Sequence, residues 1–212
     1  MPIATNSEKI DISSEVKTAE LAKNFTKILE KGDVVFLYGE IGVGKTTFIK
    51  HLINALQKKN NLQLTEITSP TFNIVNEYDI GNLNIKHYDL FRLTDNKELE
   101  NIGLLENYNE HITLIEWPEK VKMVIDNKIS LFFEYGHDLE KRTINIKGLS
   151  EKKLIIAYKY IKLIKEKHIN NWKILFILLP LSIAIYNNLD IIISVNYKNE
   201  WTWIFFLILN FI

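Results

Sequence analysis

The sequence predicts an α/β protein with a mostly parallel sheet flanked by helices, followed by an apolar helical C-terminal tail. Residues 34–38 form a short, continuous apolar run of the kind found in buried central strands. A glycine-containing loop and a helical pattern follow that run, and further strand-like segments come after the helix. A strand, a loop, a helix and more strands in this order are typical of an α/β fold.

The first 60 residues carry the clearest periodic patterns. Apolar residues recur at helical spacing over 15–31, and Ser13 or Ser14 could cap the helix that this spacing predicts. A strand is predicted at 34–38. The helix predicted over 45–58 directs five apolar residues inward: Phe48, Ile49, Leu52, Ile53 and Leu56.

The following part of the chain predicts mainly strands. Its predicted elements are, in order, strand 72–78, turn 79–82, strand 83–88, helix 95–105, strand 112–115, strand 129–135 and strand 142–146. All eight Gly lie between Gly32 and Gly148, and the character of the sequence changes beyond them. We therefore predict one domain over residues 1–149 and a C-terminal extension over 150–212.

Charge and composition exclude several classes of protein. Lys+Arg and Asp+Glu both number 26, so the chain as a whole is not a basic nucleic-acid binder. Residues 151–212 carry eight Lys and four acidic residues, which leaves 18 basic and 22 acidic residues in 1–150. The chain has no Cys, which excludes disulfides and thiolate metal sites. Residues 1–12 lack the pattern of a signal peptide, so a cytoplasmic location is expected.

The glycine-containing loop matches the phosphate-loop (P-loop) pattern G-x4-G-K-[ST]. Glycines would let backbone N–H groups approach phosphate oxygens, and the following helix would add its positive dipole end. Lys45 would contact the phosphates, and Thr46 would bind Mg²⁺ through its hydroxyl oxygen. The alternative is a glycine-rich turn with a surface lysine. The predicted nucleotide-binding residues of the loop are Gly39, Glu40, Ile41, Gly42, Val43, Gly44, Lys45, Thr46 and Thr47.

Two carboxylates follow apolar strands and are candidates for the chemistry of such a site. Glu116 comes directly after strand 112–115, where a carboxylate usually helps to hold Mg²⁺. Asp89 follows strand 83–88 and could position or activate a water, or hold a metal-bound water. The alternative for each carboxylate is a solvated loop or a helix cap. We predict Lys45, Asp89 and Glu116 as catalytic residues, and Thr46 and Glu116 as metal ligands.

Four sequence blocks in a fixed order carry a family resemblance. The blocks are LYGEIGVGKTT at 37–47, SPTFNIVNEY at 69–78, HYDLFRL at 87–93 and IEWPE at 115–119. Together they resemble the bacterial ATPase of tRNA threonylcarbamoyladenosine biosynthesis, the TsaE (YjeE) family. The resemblance covers residues 8–148 and implies a compact P-loop NTPase-like fold.

The resemblance also implies a function that spacing alone does not give. Members of the family bind and hydrolyse ATP with Mg²⁺, and they are required for N6-threonylcarbamoyladenosine at position 37 of tRNAs that read ANN codons. The implied partners are the transferase TsaD and its paralogue TsaB. Contact with tRNA would be indirect, through that complex.

The family motifs also assign individual residues. Lys45 matches the phosphate lysine, Thr46 and Glu116 match the magnesium ligands, and Asp89 matches the acidic residue of the third block. Thr18 matches a threonine near the nucleotide in the N-terminal segment of the family.

Three further assignments keep a structural alternative. Arg142 falls on a late arginine-containing strand of the family, where it would reach the nucleotide or else lie on the surface. Residues 69–71 would form a switch segment that senses the γ-phosphate, or a turn stiffened by Pro70. Trp117 would pack near the nucleotide or in the core.

The tail departs from the family pattern. Residues 152–173 contain seven Lys interleaved with apolar residues, as in a basic amphipathic helix on an anionic membrane. The next 22 residues have one charged residue, Asp190, and are long enough to span a bilayer, but Pro180, Asn187, Asn188 and Asp190 weaken the pattern of a single span. Residues 201–212 form a second apolar run. The tail therefore predicts inner-membrane association through 152–212, with a helical hairpin on a partner or a sequence artefact as alternatives.

Three other functions are alternatives to an ATPase of tRNA modification. A small-molecule P-loop kinase usually clamps its substrates with several Arg, whereas this chain has only Arg92 and Arg142. A GTPase would carry an Asn-Lys-x-Asp motif, but the near matches at 96–99 and 127–130 lack the Asp. A membrane-tethered nucleotide-binding adaptor is indicated only by the tail.

Overall fold

The computed structural model describes residues 9–93, 102–104, 106–120 and 125–157 of the chain. All of them belong to the first of two compact units, Met1–Tyr160 and Ile161–Ile212. The helices include α1 (Glu15–Phe25) and α2 (Lys45–Lys59). The strands are β1 (Ile10–Asp11), β2 (Val34–Tyr38), β3 (Val75–Ile80), β4 (Leu83–Asp89), β5 (Ile112–Glu116), β6 (Ile129–Tyr135) and β7 (Arg142–Lys147).

The strands form one sheet in the order β1-β7-β6-β2-β5-β4-β3. The central strands β6, β2, β5 and β4 pair in parallel, as predicted. The edge pairs β1–β7, β6–β7 and β3–β4 are antiparallel, so the sheet is mixed. A two-residue turn joins β3 to β4, and a connection this short can join only antiparallel strands. Because the central strands are parallel, their carboxyl ends lie at one edge of the sheet.

Both faces of the sheet are covered by apolar side chains. Along β2, Val35 and Leu37 pack against α1 and α2, while Val34 and Phe36 face a second core on the other side. This two-sided burial explains why the sequence of β2 is a continuous apolar run rather than an alternating one. The five inward positions predicted for α2 are all buried. The sheet therefore fixes the strand whose end leads into the predicted phosphate loop.

Three predicted elements differ from the observed ones. Helix α1 begins after its cap Ser14, as predicted, but it ends at Phe25 instead of residue 31. Ile28 and Leu29 lie beyond that end and are still buried. Their apolar character therefore indicated that they are buried, although they are not part of the helix. Strand β3 begins at Val75, and Phe72 lies in an exposed turn instead of a strand. The helix predicted over 95–105 lies largely outside the described residues, and residues 102–104 form a turn.

The first residues of the predicted C-terminal extension pack on the domain. Residues 151–157 are helical, and Leu149 and Ile156 lie against the core cluster that α1 and α2 cover. Lys153 forms a largely buried ion pair with Asp33, which directly precedes β2. Within the described ranges, no helix is long and apolar enough to cross a membrane. The apolar runs of the predicted tail lie outside those ranges.

We expect Lys153→Met to lower the free energy of unfolding by about 3 kcal/mol, because it leaves the Asp33 carboxylate largely buried without its cation. The matched control is Lys152→Met, which removes the exposed ion pair with Glu30 and should leave the urea midpoint nearly unchanged. Urea denaturation of both variants measures the difference. Equal midpoints would mean that the ion pair between Lys153 and Asp33 does not stabilise the domain.

Candidate nucleotide site

The loop between β2 and α2 has a backbone that depends on glycine. Gly39 has φ +138°, and a Cβ there would lie 2.6 Å from the carbonyl oxygen of Phe133. Gly44, the N-cap of α2, has φ +113°, and a Cβ there would meet no atom within 4 Å. Its missing side chain therefore leaves open space in front of the first turn of α2. That turn has no side-chain cap and no acidic residue, so its N–H groups and dipole favour an anion.

The side chain of Lys45 folds back over this loop. Its ammonium donates to the carbonyl oxygens of Gly39 at 2.7 Å and Glu40 at 2.9 Å, and it lies 3.9 Å above the ring of Trp117. Burial lowers the pKa of Lys45, while the nearby carboxylates of Glu116, Glu119 and Asp89 act to raise it. The loop thus holds a buried cation beside the open space at Gly44.

Thr46 and Glu116 meet across 70 residues of sequence. Glu116 is the last residue of β5 and pairs with Leu37 of β2, so it lies beside the start of the loop. The hydroxyl of Thr46 lies 2.8 Å and 3.1 Å from the two carboxylate oxygens of Glu116. The carboxylate is only 2% exposed, and its Oε1 also lies 2.9 Å from Nε2 of His87. A hydroxyl and a carboxylate in contact at this position form a donor set suited to Mg²⁺.

Asp89 lies directly beside Glu116, since the two residues pair in the β4–β5 register. Its Oδ2 accepts hydrogen bonds from the hydroxyls of Ser69 at 2.6 Å and Thr71 at 2.7 Å. Its Oδ1 accepts from the backbone N–H of Phe91 at 3.1 Å. The carboxylate therefore holds Ser69 and Thr71 at the carboxyl ends of the parallel strands.

Two non-glycine residues next to the carboxylates have left-handed backbones. Ile74 has φ +68°, and its carbonyl accepts from the backbone N–H of Asp89. Trp117, which follows Glu116, has φ +60°. A β-branched or bulky residue in this conformation is strained, and strain of this kind clusters at functional sites. Both residues therefore mark the edge that carries Asp89 and Glu116.

The other predicted residues lie at different distances from this cluster. Ile41 and Glu40 are exposed on the loop, Thr47 is half-buried on α2, and Val43 packs into the core. Thr18 is buried on α1, where its hydroxyl lies 3.2 Å from the carbonyl oxygens of both Ile12 and Ser14. Its side chain is thus used at the junction of β1 and α1.

Arg142 reaches the loop only through Tyr135. Its guanidinium lies 5.6 Å from the ring of Tyr135, its partner in the β6–β7 register. The Tyr135 hydroxyl in turn donates to the carbonyl oxygen of Ile41 at 3.3 Å. Within the described part of the chain, Nε of Arg142 is buried without a hydrogen-bond partner. The nucleotide contact predicted for Arg142 stays a prediction.

His87 and Tyr135 were not assigned roles from the sequence. His87 belongs to the third sequence block and stands two positions before Asp89, so strand alternation would have put both on one face. Tyr135 ends β6, but only the pairing of β6 with β2 brings it to the loop. Neither contact has a local signal in the sequence.

The chain is thus an α/β protein with a mixed sheet and flanking helices. A loop of P-loop sequence joins its central strand β2 to helix α2. The family described as "Threonylcarbamoyl adenosine biosynthesis protein TsaE" matches residues 12–144. The chain therefore belongs to the TsaE family, and the predicted resemblance is confirmed.

Several relatives and one solved structure are similar to the chain. The TsaE protein of Rickettsia typhi is 39% identical over 114 residues, 54% of this chain and 76% of that protein. The TsaE protein of Rickettsia bellii is 36% identical over 141 residues, which span 66% of this chain and 94% of that protein. The TsaE protein of Aquifex aeolicus is 37% identical over 115 residues, which span 54% of this chain and 80% of that protein. The crystal structure of YdiB from Bacillus subtilis superposes with a TM-score of 0.57 at 22% identity, covering 73% of this chain and 94% of that one. This last likeness supports the fold.

Removing the two hydroxyls that hold Asp89 should release the segment they belong to. In the double variant Ser69→Ala, Thr71→Val, we expect amide hydrogen exchange at Ile74, whose N–H donates to the carbonyl oxygen of Pro70, to rise at least about tenfold, because hydrogen bonds to a charged group contribute about 1.5–3 kcal/mol each. The control Thr65→Val removes a hydroxyl on the same connection, which accepts a hydrogen bond from the side-chain amide of Gln57 on α2. Unchanged exchange at Ile74 would show that backbone contacts alone hold the segment.

Proposed function

We propose that this chain binds and hydrolyses ATP with Mg²⁺, as the ATPase subunit required for N6-threonylcarbamoyladenosine at position 37 of tRNAs that read ANN codons. The observation that carries the proposal is the meeting of Thr46 with Glu116 beside the buried ammonium of Lys45. Membership of the TsaE family supplies the biological process. The relatives that match the chain carry the name tRNA threonylcarbamoyladenosine biosynthesis protein.

The loop suits a nucleotide phosphate in three respects. The left-handed glycines leave space for a close approach, the first turn of α2 favours an anion, and Lys45 is a nearby cation. The ammonium now bonds two neutral carbonyl oxygens. Phosphate oxygens carry negative charge, so they add a Coulombic attraction to the ammonium that a neutral carbonyl oxygen cannot supply. Lys45 would therefore exchange these carbonyls for phosphate.

Thr46 and Glu116 would hold the metal. Mg²⁺ is usually bound by one or two protein oxygens together with substrate phosphates and water, and this pair supplies that number. When bound, Mg²⁺ neutralises charge that develops on the transferred phosphoryl group. Glu116 is longer than the Asp more usual at this position, so its orientation needs more support from the protein.

Asp89 would act on water once residues 69–71 move. In the present arrangement its carboxylate accepts three hydrogen bonds from Ser69, Thr71 and Phe91. If residues 69–71 turned toward the γ-phosphate, the hydroxyls of Ser69 and Thr71 would leave Asp89. Its Oδ2 would then be free to position a water. This would couple the nucleotide state to the shape of the surface around Phe72 and Asn73, which are exposed.

The proposed partners are a TsaD-like transferase and a TsaB-like paralogue, with tRNA contacted only through them. Residues 1–150 carry 18 basic and 22 acidic residues, so this part lacks the excess of positive charge that drives direct binding to tRNA. The proposed location is the cytoplasm. Membrane association through residues 152–212 stays a proposal.

The test of the whole proposal is reconstitution with TsaB- and TsaD-like proteins. Co-purification and tRNA modification should depend on this chain and on ATP. GTP should not replace ATP, and small molecules should not accept the phosphoryl group. Phosphorylation of an added small molecule would assign a kinase instead. Submicromolar tRNA binding by the chain without partners would contradict the indirect contact.

Lys45→Ala should abolish hydrolysis and weaken nucleotide binding, because the phosphates lose the buried cation. Lys50→Ala is the matched control, since Lys50 is an exposed lysine one turn along the same helix. Titration with a fluorescent ATP analogue and a phosphate-release assay measure the two effects. Normal turnover in Lys45→Ala would refute the phosphate-loop assignment.

Asp89→Asn keeps the shape of the side chain and removes its charge. We expect nearly normal ATP binding with hydrolysis slowed by about 10²-fold or more, because a group that positions water acts mainly in the transition state. Asp79→Asn, on the neighbouring strand β3, is the control. If binding and turnover fall together in Asp89→Asn, the residue is structural.

A further inference from the structure

His87 is a buried imidazole that the proposed chemistry does not use. It lies on β4 and is 0% exposed. Its Nε2 is 2.9 Å from Oε1 of Glu116, while its Nδ1 is buried and has no hydrogen-bond partner among the described residues. Because an ionised carboxylate can only accept, the proton of this hydrogen bond belongs to Nε2. Within the described part of the chain, its one hydrogen-bond partner is Glu116.

Packing alone gives no reason for an imidazole at this position. Two of its neighbours on the same face, Ile85 of β4 and Leu114 of β5, are apolar and fully buried. Its partner on β3, Asn76, is polar, but the Asn76 side chain donates to the carbonyl oxygen of Thr68. A buried nitrogen without a partner is unfavourable, and an apolar side chain of similar size would avoid that cost. The hydrogen bond to Glu116 is the feature that an apolar residue could not supply.

Glu116 needs a fixed donor of this kind. Its other hydrogen-bond partner is the hydroxyl of Thr46, which has a single proton and would turn a lone pair toward a bound metal. His87 lies on a central parallel strand whose backbone is held by β5. Its position therefore does not depend on whether the loop carries a ligand.

We propose that His87 is the positioning residue of Glu116. Its Nε2–H holds Oε1 and thereby sets the rotamer in which the carboxylate faces Thr46 and the metal position. This inference rests on the proposed nucleotide and Mg²⁺ site. The imidazole acts through the carboxylate and does not itself bind the metal.

The first test reads the hydrogen bond without any nucleotide. In the full chain labelled with ¹⁵N-histidine, we expect a protonated Nε2 on His87 with a slowly exchanging proton. Glu116→Gln should shift that resonance, whereas the resonances of His111 should stay in place. The proposal would be overturned if Nε2 carried no proton, or if the chemical shift of the His87 resonance were the same in Glu116→Gln as in the wild type.

The second test reads metal affinity separately from nucleotide affinity. His87→Leu removes the donor and keeps the volume, and His87→Gln restores an amide N–H near the place of Nε2. The control is His111→Leu, a buried histidine directly before β5, at the other end of that strand from Glu116. Binding of a fluorescent ATP analogue is measured across a Mg²⁺ series and in EDTA, together with thermal melts.

For His87→Leu we expect a rise of about tenfold or more in the Mg²⁺ concentration that gives half of the maximal increase in nucleotide binding. Residues that orient metal ligands commonly contribute 10–100-fold to metal affinity. Metal-free nucleotide affinity should change less than about twofold, and His87→Gln should recover part of the loss. His111→Leu should keep the wild-type Mg²⁺ dependence even if its melting temperature falls.

The outcomes separate this inference from the proposed function. Wild-type protein without Mg²⁺-dependent nucleotide binding would refute the proposed site, and the metal role of His87 with it. A Mg²⁺-dependent wild type with an unchanged His87→Leu curve would overturn the inference alone. Equal losses in EDTA and in Mg²⁺ would make His87 structural, which also overturns it.

Discussion

The parallel pairing of β4, β5 and β2 is the constraint on which the candidate site depends. Leu37 pairs with Glu116 in one register, and Asp89 pairs with Glu116 in the other. Three strand ends therefore lie side by side, and the loop that leaves β2 begins next to both carboxylates. In an antiparallel arrangement of the same strands, the two carboxylates would lie at opposite edges of the sheet.

This arrangement concentrates charged groups in a largely buried place, and each group has specific partners. Lys45 is held by two carbonyl oxygens and the ring of Trp117, and Glu116 by Thr46 and His87. Buried charges without such partners would destabilise the fold. The partners also orient the side chains before any ligand arrives, which is the form in which electrostatic stabilisation of a reaction is most effective. The same contacts thus serve stability and the proposed chemistry.

The sequence predicted those parts of the fold whose signals are local. The apolar run of β2, the inward face of α2 and the cap of α1 each depend on neighbouring residues, and each was confirmed. Phe72 was misassigned to a strand because its apolar character favours one. The hydroxyl of Thr71 instead bonds Asp89, 18 residues away, and the chain turns there.

The sequence alone predicted the residues of the candidate site, because the phosphate-loop pattern and a carboxylate at a strand end are readable from spacing. It also determined the family, through four ordered blocks. Only the tertiary structure decided which side chains meet at Glu116. His87 is 29 residues away and Thr46 is 70 residues away, and both contacts follow from strand order and register. Pairing between distant strands depends on the packing of the whole sheet, so no local pattern could specify it.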